Sequence, residues 1–196
     1  MHDSSSLEKS NRLILAVLAI GIVIRVIALI QTPVVNNDGP LYIHQARAVL
    51  NHDWHLARSC GFPYLSLYPF AMPLYWITGD WTLAGQLTSL LFGFLSLIPV
   101  YLISRSFFDK TTASLVTLVF ALNPTLVELH VDVNKDPIAW FFCAMGLYFF
   151  VKSSKNGYLV FSSLCFLTAM MSRIEVIVFK EGRFILYHND ENLSVN

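Results

Sequence analysis

The sequence predicts an all-α integral membrane protein with about five transmembrane helices, and three observations carry that prediction. Hydrophobic residues make up 55% of the 196-residue chain, and mean hydropathy is +0.57. Charged residues make up 13%, about half the share of an average soluble domain. Those charges fall almost wholly between apolar runs, several of which approach the roughly 20 residues a helix needs to cross hydrocarbon. Thirteen basic residues balance thirteen acidic ones, so no basic footprint for nucleic acid is present. Cys60, Cys143 and Cys165 form neither a disulfide pattern nor a metal-ligand spacing and read as small hydrophobes.

Residues 13–30 form the first run, with Lys9 and Arg12 before it. A cleaved signal peptide needs a small-x-small site, which Thr32-Pro33 does not supply, and Arg25 interrupts the run; it reads as an uncleaved span. An ionisable residue at that depth is costly, and Arg25 is expected either to face a partner or to snorkel toward the nearby helix end. The long segment 31–82 follows. Within it Leu41, Ala48 and Val49 stand opposite His44, Gln45 and Arg47, the pattern of an amphipathic helix lying on the membrane. Residues 63–78 are apolar and aromatic but carry Pro63, Pro69 and Pro73, and read as an interfacial or re-entrant segment. Four further spans follow at 83–103, 113–131, 137–151 and 158–171. Asn123-Pro124 is expected to kink the third span. Pro137 suits the first turn of the fourth, and Ser172-Arg173 ends the fifth.

Loop charge sets the expected orientation. Lys9 and Arg12, then Arg105 and Lys110, then Lys152 and Lys155 all fall on one side if there are five spans, and the positive-inside rule makes that side cytoplasmic. If 63–78 also crossed, this pattern would break. Residues 1–12 are then a cytoplasmic N-terminus, 13–179 the membrane domain, and 31–82 and 128–136 two outer loops. Asp38, Asp132, Asp136 and Arg173 come from separate places in the chain onto one membrane face, which is what an active site at a membrane surface needs.

Each of these residues also has a plain structural reading. Asp38, before Gly39-Pro40, suits a helix cap or an Asx turn. Asp136 before Pro137 suits an N-cap, Asp132 a solvated loop, and Arg173 a snorkelling end residue. His44, His52 and His55 lack a metal-ligand spacing, and the Asn192-Leu193-Ser194 sequon lies in a polar tail.

In order along the chain come Asp38 with Tyr42 and Ala46-Arg47, then Asp53-Trp54, then the Pro-rich aromatic segment from Phe62 to Trp76, then Asp136-Pro137, and finally Arg173. This order resembles the N-terminal part of the GT-C glycosyltransferase superfamily, of the family 39 type that includes protein O-mannosyltransferases and lipid A aminoarabinose transferases. The resemblance covers residues 8–179. It implies inverting transfer of a sugar from a polyprenyl-phosphate carrier to a hydroxyl of a protein, lipid or glycan acceptor. The expected place is a bacterial inner membrane with the active face outward. It further implies Asp38 as the base, Arg173 as a phosphate ligand, Asp136 as an acid that orients substrate, and Tyr42 and Asp132 as substrate-binding residues. Two carboxylates and a phosphate could also hold a divalent metal, Mg²⁺ or Mn²⁺; no other cofactor is expected. The lipid A-modifying branch tends to carry a Lys before the Pro of the aromatic segment, and this chain has Phe62-Pro63 there.

Members of that family run to several hundred residues with many more spans. Here an apolar run at 174–179 turns into Lys180-Glu181-Gly182-Arg183 and a polar tail, so 180–196 is expected to be the aberrant end of a truncated product. The rival class is a non-enzymatic membrane protein, a transporter subunit or assembly factor. Such a protein places polar residues near mid-span, whereas this chain gathers them toward one face.

Overall fold

A computed structural model describes residues 3–32, 37–59, 68–152 and 156–173, and all its regular structure is helical. The helices are α1 (Asp3–Gln31), α2 (Gly39–Leu50), α3 (Trp54–Ser59), α4 (Tyr68–Thr78) and α5 (Trp81–Leu95). They continue as α6 (Leu97–Phe107), α7 (Lys110–Leu122), α8 (Pro124–Val131), α9 (Asp136–Val151) and α10 (Asn156–Ser172). The chain is an all-α membrane protein, as expected. The proposed aberrant tail, the sequon, Cys60 and Pro63 lie outside the described residues.

Side-chain caps set several of these boundaries. Asp80 accepts from the amides of Thr82 and Leu83 at 2.7 and 3.1 Å and starts α5. Asp109 accepts from the amides of Thr111 and Thr112 at 2.9 and 3.2 Å and starts α7. The hydroxyl and then the amide of Thr112 hold the Asp109 carboxyl below its usual range. Both caps satisfy amides that a helix N-terminus leaves open. Asp80→Ala is therefore expected to cost about 1 kcal/mol, read as a lower midpoint of thermal unfolding in detergent.

The expected kink is present as a full break. Pro124 has no N–H to continue α7 and pushes the residue before it out of helical geometry, so Asn123 adopts φ −61°, ψ 118°. Its side chain then caps α8 by accepting from the Leu126 amide at 3.3 Å, and α7 and α8 meet at 60°.

Asn11–Gln31 and Trp81–Phe107 are long and apolar enough to cross a membrane, and the bent α7–α8 pair makes a third if it counts as one span. The expected fourth and fifth are α9 and α10, of 16 and 17 residues. At 1.5 Å per residue these reach roughly 24–26 Å, short of roughly 30 Å of hydrocarbon. They pack closely on each other: Ser162 donates to the Gly146 carbonyl at 2.9 Å, and a Cβ on Gly146 would lie 3.2 Å from the Phe166 ring.

Helix α2 also needs correction. Its inward face is Tyr42, Gln45, Ala46, Ala48 and Val49, and Leu41 is 43% exposed. That face packs on α3, α4 and α5. Gln45, expected on the polar side, turns inward because its amide donates to the Ala57 carbonyl at 3.0 Å, satisfying a buried acceptor between α2 and α3.

Arg25 has a buried partner and does not snorkel. It is 0% exposed, and its Nε donates to His130 Nδ1 at 3.0 Å. Its Nη1 donates to the carbonyls of Gly21 and Ala121 at 3.0 and 3.1 Å. This cluster ties α1 to α7 and α8.

Candidate active site

The site begins with a stripe of small residues on α5. Gly85, Ser89 and Gly93 recur every four residues, so they share one helix face and let a neighbouring backbone approach. A Cβ on Gly85 would lie 2.8 Å from Val133 Cγ1, and one on Gly93 would lie 2.2 Å from His130 Cγ. Between them the Ser89 hydroxyl donates to the Asn134 carbonyl at 2.8 Å and accepts from the Asn134 amide at 3.0 Å. The whole turn from α8 to α9 is thereby seated in α5.

That seating fixes the residues that follow. Asn134 Oδ1 accepts from the Asp136 amide at 3.1 Å, so Asp136 opens α9 as its first residue and Lys135 occupies the cap position. Asp136 Oδ2 lies 2.6 Å from Nη1 of Arg173, with the two side chains 15% and 37% exposed. Arg173 is held at the end of α10 by its amide, which donates to the Ala169 carbonyl at 2.9 Å.

The start of α2 meets this turn from the other side. Tyr42 is buried against Val133 and Ile138, with Ala71 and Phe92 completing the cluster. Lys135 Nζ stands 5.6 Å above the centre of the Tyr42 ring, within cation–π range. Asp38 lies one turn before Tyr42 and is exposed. Its carbonyl accepts from the Leu41 and Tyr42 amides at 3.0 and 3.2 Å, while its side chain forms no cap hydrogen bond.

Of the residues singled out from sequence, Asp136 and Arg173 touch, and Tyr42 links the Asp38 end of α2 to the 132–136 turn. Asp132 Oδ1 accepts from the next amide, that of Val133, at 2.7 Å, which is a turn-forming contact. Tyr42 serves as a buried platform beneath Lys135. Lys135 and Ser89 were not singled out. Lys135 sits next to Asp136 in the same turn, and Ser89 is a hydroxyl between two glycines at helical spacing inside an apolar run. Both are signals the sequence carried.

Arg173 supplies a planar donor fork and Lys135 a compact cation, while carboxylates lie on both neighbouring elements. Among the described residues no three His, Cys, Asp or Glu side chains come together to hold a metal ion, and Asp136 is already engaged by Arg173.

Residues 68–187 match the family described as dolichyl-phosphate-mannose-protein mannosyltransferase. The match takes in Asp132, Asp136 and Arg173 and leaves Asp38 and Tyr42 before its start. No curated protein and no solved structure matches the chain.

Proposed function

The chain belongs to the dolichyl-phosphate-mannose-protein mannosyltransferase family and is a membrane glycosyltransferase of the GT-C type; from that premise we propose that it moves a sugar from a polyprenyl-phosphate carrier to an acceptor hydroxyl on the non-cytoplasmic face, with inversion. The observation that carries this reading is the Asp136–Arg173 pair at 2.6 Å, beside Lys135 on its Tyr42 platform.

In this reaction the acceptor oxygen forms a bond to the anomeric carbon as the bond from that carbon to the phosphate oxygen breaks. The hydroxyl proton passes to the Asp38 carboxylate, and the bonding pair leaves with the lipid phosphate. Negative charge grows on that phosphate, where Arg173 and Lys135 stabilise it. Asp136 holds the Arg173 fork in place before the donor arrives, so little reorganisation is left to the reactive moment.

Donor binding tests the assignment directly. The chain in lipid nanodiscs is expected to bind a labelled polyprenyl-phosphate sugar, in competition with unlabelled polyprenyl phosphate. Arg173→Gln should weaken that binding about tenfold, the loss of roughly one charge-assisted contact. Equal affinity in a folded Arg173→Gln variant would remove the phosphate role. Absence of any polyprenyl-phosphate binding by the wild type would remove the whole reading.

A further inference from the structure

Two cavities lie along α2 on the face turned away from Tyr42. One, of about 290 Å³, is lined by Pro40, Ile43, His44 and Arg47 with Thr82. The other, of about 500 Å³, is lined by Arg47, Leu50 and Asn51, with Tyr75, Trp81 and Asp80 among the residues opposite. Arg47 and Thr82 line both, so the two form one groove. Pro40, Ile43, His44, Arg47, Leu50 and Asn51 are spaced three, four, seven, ten and eleven apart, which is one stripe of a helix. The groove therefore runs the length of α2. It starts two residues from Asp38 and ends near the Tyr75–Trp81 stack, whose rings lie 4.0 Å apart.

Its charged residues are Arg47 at the middle and Asp80 at the Trp81 end, where Oδ1 of Asp80 accepts from the two amides it caps. Among the described residues none hydrogen-bonds or ion-pairs with the Arg47 guanidinium, which is exposed at the midpoint of the groove. A planar fork of donors in that position selects a carboxylate or phosphate.

We infer that this groove is the acceptor site, and that it takes an extended peptide carrying an acidic side chain which Arg47 reads. The inference rests on the transfer reading above and names its acceptor. The geometry sets the spacing. Seven residues of helix separate Pro40 from Arg47, a rise of roughly 10 Å, which three residues of extended chain cover. An acceptor Ser or Thr at the Pro40 end of the groove, two residues from Asp38, thus places the acidic residue three positions away. The full stripe, roughly 16 Å, holds about five residues. His44, Asn51 and Thr82 around Arg47 are polar, which suits a peptide better than the apolar margin of a lipid head-group site.

The test uses the whole chain in phosphatidylcholine nanodiscs and fluorescein-labelled nonapeptides with one central serine. A glutamate stands three residues before or after the serine, with glutamine and lysine counterparts. One of the glutamate peptides is expected to bind about fivefold tighter than its glutamine twin, the size of a well-formed solvent-exposed ion pair. Arg47→Gln should abolish the preference, and Arg47→Glu should transfer it to the lysine peptide, which also shows that the variant is folded. Equal binding of all peptides by the wild type overturns the inference, as does a preference that survives Arg47→Gln. Anionic phospholipid co-purifying with the wild type but not with Arg47→Gln would assign the guanidinium to a lipid instead, and equally overturn it. Charge-selective binding without sugar transfer leaves the groove standing and removes the transfer reading. Transfer without charge selectivity does the reverse.

Discussion

Asp38→Asn is expected to lower single-turnover sugar transfer by about 10²- to 10⁴-fold, the usual contribution of a positioned general base, while donor binding stays within about twofold of wild type. The substitution keeps the size and shape of the side chain and removes its ability to accept a proton. The first turn of helix α2 is closed by the Asp38 backbone carbonyl, which the substitution leaves in place. Unchanged circular dichroism and unchanged donor affinity would locate the loss in the chemical step. The contrast with Arg173→Gln is the informative part: that variant should lose donor affinity, whereas Asp38→Asn should lose turnover. Full turnover in Asp38→Asn would leave the acceptor proton to another group.

The second large effect is structural. Gly93→Ala is expected to destabilise the chain by about 1–3 kcal/mol or more, as overpacking of a fixed core does. The added methyl would lie 2.2 Å from His130 Cγ and 2.6 Å from its Cβ and Nδ1. Those atoms cannot step aside cheaply, because Nδ1 accepts from Arg25 Nε at 3.0 Å and the side chain is fully buried. Displacing the ring would leave the Arg25 guanidinium short of a partner in the interior, adding a desolvation penalty to the steric one. The thermal midpoint in detergent reads the effect. A double-mutant cycle with His130→Gly, which removes the Cβ at 2.6 Å together with the ring, isolates its cause, since the extra methyl should cost far less once that side chain is gone. Additive losses would show that the side chain is not what the methyl meets.

Much of this architecture was legible because it depends on local chemistry. Pro124 forbids continuation of α7 wherever the chain goes, so the break could be read directly. Asp136 and Arg173 stood out because each follows or ends an apolar run on the expected same face. What could not be read were contacts between distant stretches. Gln45 looked polar and outward, and only the Ala57 carbonyl makes it an inward residue. Ser89 meets Asn134 across 45 positions, and no periodicity announces such a meeting. The spacing Gly85-Ser89-Gly93 did carry a packing signal, since small residues four apart mark close helix approach, but it named no partner. The apolar runs themselves were legible, since hydropathy marks where they lie, and Pro137 marks the first turn of α9.

The Arg25–His130 contact has a consequence for biogenesis. Its two halves are 105 residues apart. A ribosome adding roughly 5–20 residues per second delivers α1 to the membrane some 5–20 s before the imidazole that completes it. Throughout that delay the guanidinium has the Gly21 carbonyl of its own helix but neither the Ala121 carbonyl nor the imidazole. The set is complete only when α8 brings the His130 Nδ1 that accepts the hydrogen bond from Arg25 Nε. A chain halted before residue 130 would hold α1 without the imidazole that Arg25 Nε donates to.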